Sequence, residues 1–309
     1  MLVFDNPELK TLSRYVRSYL GGLKTLRVEV DKQEWKYLEG GRGETVLFLH
    51  GGVGSKTQWR SIMQEYLQDY RVIAIDVPGL YVNQGFRFKK HSLRQYGVWL
   101  SKVLDQLRLD KVHLVGASMG STIAAYFSAQ YPDKVASVML LGFPNMLLSR
   151  DPNDSEAIGR FFDVSQYETV EDLQTAYNRA YFKAPSIPGI VLRYNLREFR
   201  KYHQTLQVVL NELIESRPIL IASLRKIKVP TLIMHGIEDQ VSQAQGPEFW
   251  QRQIPQSIYH ELPECGHMIH IEKPEDVGRL HKELLHNAHR LSKQIQSEQE
   301  DTGRFAILD

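Results

Sequence analysis

A serine set between two glycines, each two positions away, can be turned into a nucleophile. Gly116, Ala117, Ser118, Met119 and Gly120 carry that G-x-S-x-G spacing. The residues around it suit a strained turn from strand to helix. KVHLV (111–115) precedes it, and a small-residue run, STIAAYFSAQY (121–131), follows. Small neighbours let strand and helix approach closely while the turn lifts the hydroxyl clear of the sheet edge. The turn also sets Ser118 at the positive end of a helix, where a developing oxyanion is stabilised.

Such a serine needs a base, and the base needs an acid to orient it. On a fold with this turn the chain order is serine, acid, histidine. HGIEDQV (235–241) offers Glu238 and Asp239. Asp239 is preferred, because it lies deeper in the loop and its shorter side chain makes a more rigid bond to imidazole. PECGHM (263–268) places His267 directly after a glycine, on a loop able to swing over the sheet edge. Among the 11 histidines, His260 lies inside a strand and His270 opens a helical stretch. His281, His286 and His289 fall on the terminal helix and are expected to face solvent. Cys265 is expected to pack beneath the histidine loop rather than act as a reactive thiol.

Negative charge that builds on a carbonyl oxygen needs N–H donors, and losing one typically costs about 3 kcal/mol. Met119 should supply one amide. HGGVG (50–54) should supply the other, from Gly52, with Val53 as the alternative; His50 is read as holding that loop. GGVGSKT (51–57) resembles a phosphate-binding loop, but both glycine anchors are missing, with His50 and Ser55 in their places. No H-x-x-x-H or C-x-x-C pair points to a metal, and the chemistry calls for no cofactor.

These residues must be positioned by a sheet. Apolar runs at 26–30 and 35–38 read as a hairpin. TVLFL (45–49), RVIAI (71–75), KVHLV, 135–141, TLIMH (231–235) and 257–262 read as further strands. Helical patterns at 57–69, 91–107, 118–131, 249–253 and 274–291 alternate with them. Such alternation specifies an α/β fold, a mostly parallel eight-stranded sheet with helices on both faces. It lapses between about 143 and 226, a stretch that is helical in pattern and carries Pro185 and Pro188. The domain expectation is an N-terminal helix over 1–24, a core from 25–142 and 227–292, an inserted helical cap over 143–226 and a flexible tail over 293–309.

A net charge of +2 and the lack of a dense basic stretch exclude nucleic acid as the expected partner. One cysteine permits no internal disulfide and suits a reducing, cytoplasmic setting. The start MLVFDNPELK is no secretory signal, and no run of about 18 apolar residues spans a membrane. Leu9, Leu12, Val16 and Leu20 recur at helical spacing. That helix is expected to pack on the domain, and peripheral contact with a membrane is its second reading.

HGGVGSKTQW, DVPG, GASMGS, KVPTLIMHGIEDQV and ECGHMIHIEKPE, in this order and spacing, resemble the α/β-hydrolase superfamily. Within it the chain looks most like bacterial family V lipases and esterases and the related monoacylglycerol lipases. The likeness runs from about residue 35 to residue 285. It includes the cap stretch 167–199, where a helical region, a proline-containing turn and a second helical region follow one another. It implies the triad Ser118, Asp239 and His267, and Gly52 and Met119 as oxyanion donors. Two departures stand out. Leu80, Tyr81, Val82, Asn83 and Gln84 make a bulkier loop beside the site, and Ser121 stands where many relatives have glycine.

The expected activity is hydrolysis of carboxylic esters, as an esterase or lipase with monoacylglycerol-type substrates in scope. Val53, Tyr81, Phe161, Tyr181 and Met268 are the expected substrate contacts. In the cap, Phe161, Phe162, Tyr177, Tyr181, Phe182, Leu192 and Tyr194 suggest an apolar acyl pocket, while packing within the cap explains most of them. The rivals are a carbon–carbon bond hydrolase of ring-cleavage products using the same triad, and a non-catalytic receptor or scaffold. Dehalogenase and epoxide-hydrolase chemistry is disfavoured, since those relatives have Asp where Ser118 stands.

Overall fold

The computed structural model describes residues 21–52, 54–79, 91–148, 167–242 and 245–305. Strands β1 (Lys24–Val30) and β2 (Gln33–Gly40) form a hairpin in which Val30 pairs with Gln33. Its two turn residues, Asp31 and Lys32, have φ of 52° and 61°, the two-residue turn whose twist suits the flanking strands. β3 (Thr45–Leu49) is buried throughout, as a strand covered on both faces must be. It is followed by β4 (Arg71–Ile75), β5 (Val112–Ala117), β6 (Val135–Leu141), β7 (Thr231–Gly236) and β8 (Ser257–Leu262).

The eight strands lie in the order β1-β2-β4-β3-β5-β6-β7-β8. Pairing is parallel from β4 across to β8 and antiparallel only at the hairpin edge. Side chains alternate between two cores. Leu47 and Leu49 of β3 join Tyr96, Trp99, Ile123 and Phe127 on one face. Val46 and Phe48 join Trp59, Tyr66, Leu280 and Leu284 on the other.

The helices, in chain order, are α1 (Arg60–Met63), α2 (Leu93–Gln106), α3 (Met119–Gln130), α4 (Val170–Ala180), α5 (Gly189–Glu215), α6 (Arg217–Leu224), α7 (Gly246–Gln253), α8 (Ile269–Glu272) and α9 (Pro274–Phe305). Among the described residues, α4, α5 and α6 lie between β6 and β7. A capping box starts α4: Thr169 Oγ1 accepts from Asp172 N at 3.1 Å, and Asp172 Oδ2 accepts from Thr169 N at 2.8 Å. Leu173, Leu192 and Leu196 give α4 and α5 a small core of their own. The later part of α5, through Leu206, Val209 and Leu213, joins the main core.

Three expectations need correction. The helix expected over 57–69 is a 3₁₀ turn (Lys56–Trp59) followed by the short α1. The chain then continues in turns that bury Tyr66 and Tyr70. The stretch from Lys293, expected to fray, is helical to Phe305. Lys, Gln and Glu are good helix formers, and Ile295 carries the buried stripe onward. His281, expected in solvent, is fully buried within the stripe of Val277, Leu280 and Leu284, and its Nδ1 lies 3.0 Å from Tyr66 Oη. His286 and His289 do face solvent. The expected N-terminal helix, the loop 80–84 with Tyr81, and Val53, Phe161 and Phe162 lie outside the described residues. Among the described residues, no helix is long and apolar enough to cross a membrane.

Candidate active site

β5 ends at Ala117 and α3 begins at Met119, leaving Ser118 as the hinge, with φ 50° and ψ −120°. Left-handed backbone at a non-glycine residue costs about 1–3 kcal/mol and persists only where the surroundings enforce it. Here Ser118 N donates to Leu141 O at 2.8 Å, and Ser118 O accepts from Ser121 N at 2.8 Å. The packing leaves no room for side chains at the flanks. A Cβ on Gly116 would lie 2.3 Å from Gly120 O, and one on Gly120 would lie 2.3 Å from Leu49 O. A serine at a helix N-cap ordinarily spends its hydroxyl on a helix amide. Ser118 makes no such bond, so its Oγ stays available for chemistry.

The loop after β3 lies against this hinge. A Cβ on Gly51 would come within 3.0 Å of Ser118 Cβ and 3.7 Å of its Oγ, and one on Gly52 within 2.9 Å of Met119 Sδ. The two expected oxyanion donors, Gly52 and Met119, are therefore neighbours across the nucleophile. His50 acts as expected on this loop: its Nε2 accepts from Val77 N at 2.8 Å and its Nδ1 lies 2.8 Å from Gly51 O. Burial lowers its pKa below the ordinary imidazole value. A buried pair, Lys56 and Asp76, braces the far end. Lys56 Nζ donates to Asp76 Oδ2, and Lys56 N donates to Asp76 Oδ1 at 2.7 Å.

Asp239 follows β7 and His267 follows β8. Asp239 Oδ2 lies 2.8 Å from His267 Nδ1, and its Oδ1 accepts from Val241 N at 2.7 Å and Ser242 N at 2.8 Å. Burial by itself would raise this carboxyl. The charge and bond of His267, with the two amides, outweigh burial and hold it below the usual aspartate value. An Nδ1 proton facing Asp239 leaves Nε2 as the acceptor. Among the described residues the bond between Asp239 and His267 is made, and one from Ser118 Oγ to the ring is not. Such bonds often tighten only when substrate binds. Ser118 and His267 meet the same step of chain, since Ser118 N bonds Leu141 O and the imidazole lies against Gly142.

The sequence reading did not assign four residues that build this frame. Glu238, the rejected carboxylate, accepts from Cys265 N at 2.9 Å and so props the histidine loop. Ser242 ties the Asp239 loop to the segment after β6, donating to Phe143 O and accepting from Asn145 N at 3.0 Å. Gly142 makes room for the imidazole. Glu272 accepts from Gly266 N at 2.8 Å and from Phe182 N at 2.9 Å. The only available signals were a glycine after a strand and carboxylates in tight loops, and neither names a partner.

The remaining expected residues divide. Met268 N donates to Ala180 O at 3.1 Å, which sets Met268 beside the base. Tyr181 ends α4 next to Gly266. Burial, with the charges of Tyr177 and Glu272, pushes its phenol up to about 12. Leu192 packs into the core shared by α4 and α5, whereas Phe182 and Tyr194 are about half exposed, at 48% and 53%. Cys265 is fully buried beneath the histidine loop. Among the described residues, no group of three or more His, Cys, Asp or Glu could hold a metal.

Residues 44–274 match the family described as alpha/beta hydrolase fold. Mouse monoacylglycerol lipase ABHD6 is 27% identical over 264 residues, covering 81% of this chain and 77% of that protein. A 2-hydroxy-6-oxo-6-phenylhexa-2,4-dienoate hydrolase from Burkholderia cepacia is 25% identical over 288 residues, covering 90% and 97%. Among solved structures, a membrane phospholipase A described as a bacterial virulence factor superposes with a TM-score of 0.78 at 25% identity. It covers 93% of this chain and 94% of that one.

Proposed function

Because the chain belongs to the alpha/beta hydrolase fold family, we propose that it cleaves carboxylic esters through an acyl-enzyme on Ser118. His267 takes the Ser118 proton as Oγ attacks the ester carbonyl. The oxyanion rests on the Gly52 and Met119 amides. The alcohol leaves with a proton from His267, and a water deprotonated by the same ring releases the acid. Asp239 holds the ring tautomer and stabilises the imidazolium. The observation that carries the reading is the 2.8 Å contact of His267 Nδ1 with Asp239 Oδ2, beside a serine hinge that leaves its hydroxyl uncapped.

The relatives include a lipase and a phospholipase, which favours esters with an apolar acyl group. We read the stretch 143–226, helical in its sequence pattern, as the cap that shapes the acyl site, with Tyr181 and Met268 at its border. Val53, Tyr81 and Phe161 remain contacts proposed from sequence, as does peripheral membrane contact through the segment before residue 21. The test is an ester and monoacylglycerol panel over acyl length, with Ser118→Ala as control. The variant should fold, lose turnover and resist fluorophosphonate labelling. Turnover retained in Ser118→Ala would remove the mechanism.

A second reading is favoured by the dienoate hydrolase relative. The same serine, acid and histidine would hydrolyse a carbon–carbon bond in a vinylogous diketone. Loss of the substrate's visible absorbance in a spectrophotometric assay separates the two.

A further inference from the structure

The loop that carries His267 rests on the end of α4 as well as on the sheet. Ala180 O accepts from His267 N at 2.8 Å and from Met268 N at 3.1 Å. The two backbones touch, for a Cβ on Gly266 would lie 2.6 Å from Phe182 N. Glu272, at the last position of α8, closes the junction. Its Oε2 accepts from Gly266 N at 2.8 Å, and its Oε1 accepts from Phe182 N at 2.9 Å and Lys183 N at 3.3 Å. One carboxylate therefore gathers three amides from two segments far apart in sequence. Amide bonds to an ionised acceptor are about twice as strong as neutral ones. From Lys183 the chain passes through Pro185 and Pro188 into α5.

We infer that Glu272 is a positioning residue, which seats the His267 loop on the α4 end so that any movement of residues 181–188 also moves the base. The inference rests on the ester-hydrolase reading of Ser118 and His267. It gives the acid five residues after the histidine a role. Oε1 and Oε2 face different segments, and a neutral amide side chain at 272 would turn an N–H donor toward one of them. His267 would then lose part of its seat while keeping Asp239. A base displaced by about 1 Å can cost roughly a hundredfold in rate.

The test compares Glu272→Gln, Glu272→Asp and Glu272→Ala in the full chain, with a soluble p-nitrophenyl ester and a fluorophosphonate probe. For Glu272→Gln, kcat and the labelling rate should fall together by roughly 10–100-fold. KM should change by less than about twofold, as for an interaction felt in the transition state. Glu272→Asp should recover part of that loss and Glu272→Ala none. A fall in melting temperature with rates unchanged, or Asp no better than Ala, overturns the inference. If Glu272→Gln does not fold, hydrogen exchange on the unmodified protein decides. Gly266, His267 and Phe182 amides should open with one shared free energy, and separate opening overturns the coupling. A native protein that neither labels nor turns over ester would remove the hydrolase reading instead, whatever the exchange data show.

Discussion

Gly142 lies against the imidazole of His267. A Cβ at 142 would sit 3.1 Å from both Nδ1 and Cε1 of the ring and 3.3 Å from His267 O. The residue also has φ of +52°, and its amide donates to Met234 O at 3.0 Å. One face of the base is thus set by the backbone that follows β6. Gly142→Ala should push the ring away from Asp239 and strain the turn. We expect kcat to fall by roughly 10–100-fold and stability to drop by more than about 1 kcal/mol. Steady-state kinetics and urea unfolding measure both, and an unchanged kcat would mean that the contact does not orient the ring.

The buried pair formed by Lys56 and Asp76 should matter both to stability and to the loop that it braces. Lys56 is 8% and Asp76 1% exposed. Removing one charge leaves the buried pair unbalanced, and breaking such a pair costs about 3–5 kcal/mol. Lys56→Met should therefore be strongly destabilised, and Lys56→Met with Asp76→Asn less so. Both should lose kcat, because the loop carrying Gly51 and Gly52 loses its brace. Denaturation midpoints that rank the double variant below the single one would reject this account.

Two buried histidines give the stability a dependence on pH. Burial, helped by the charge of His267, lowers His270 to about 3; burial, helped by His113, lowers His281 to about 3. An unfolded histidine titrates near 6.5. Between these values the unfolded state holds protons that the folded state refuses. The contribution is fully present above about pH 6.5 and falls away as pH drops toward 3, by up to about 1.4 kcal/mol per pH unit for each ring. The His270 ring centroid lies 4.4 Å from that of Trp59 with the planes tilted by 35°, and among the described residues neither His270 ring nitrogen has a hydrogen-bond partner. His270→Phe should keep that ring contact and flatten the loss between pH 7 and pH 5. Parallel stability curves for variant and native protein would refute it.

Cys265 should be inert. Burial, with the charge of Glu272 adding to it, pushes its thiol up to about 12, and only the thiolate reacts readily. Iodoacetamide at about pH 8 should leave the native protein unmodified by mass spectrometry and alkylate it once in urea. Rapid native alkylation would place the thiol in a more open setting.

What the chain declares locally is the part governed by neighbours in sequence. G-x-S-x-G between an apolar strand and a small-residue helix forces the turn at Ser118, because a Cβ at Gly116 or Gly120 would lie 2.3 Å from a backbone oxygen. Continuous apolar runs declare the parallel strands, since a strand covered on both faces has no polar side to show. Partnership across the fold is another matter. The support that Glu238 gives the histidine loop, the burial of His281 and the grip of Glu272 on two distant loops depend on which segments the sheet order brings together. A histidine or carboxylate reads the same in a one-dimensional pattern whether it faces water or an amide 90 residues away. Only packing sets its dielectric surroundings and its partners, so those features were decided by the tertiary structure.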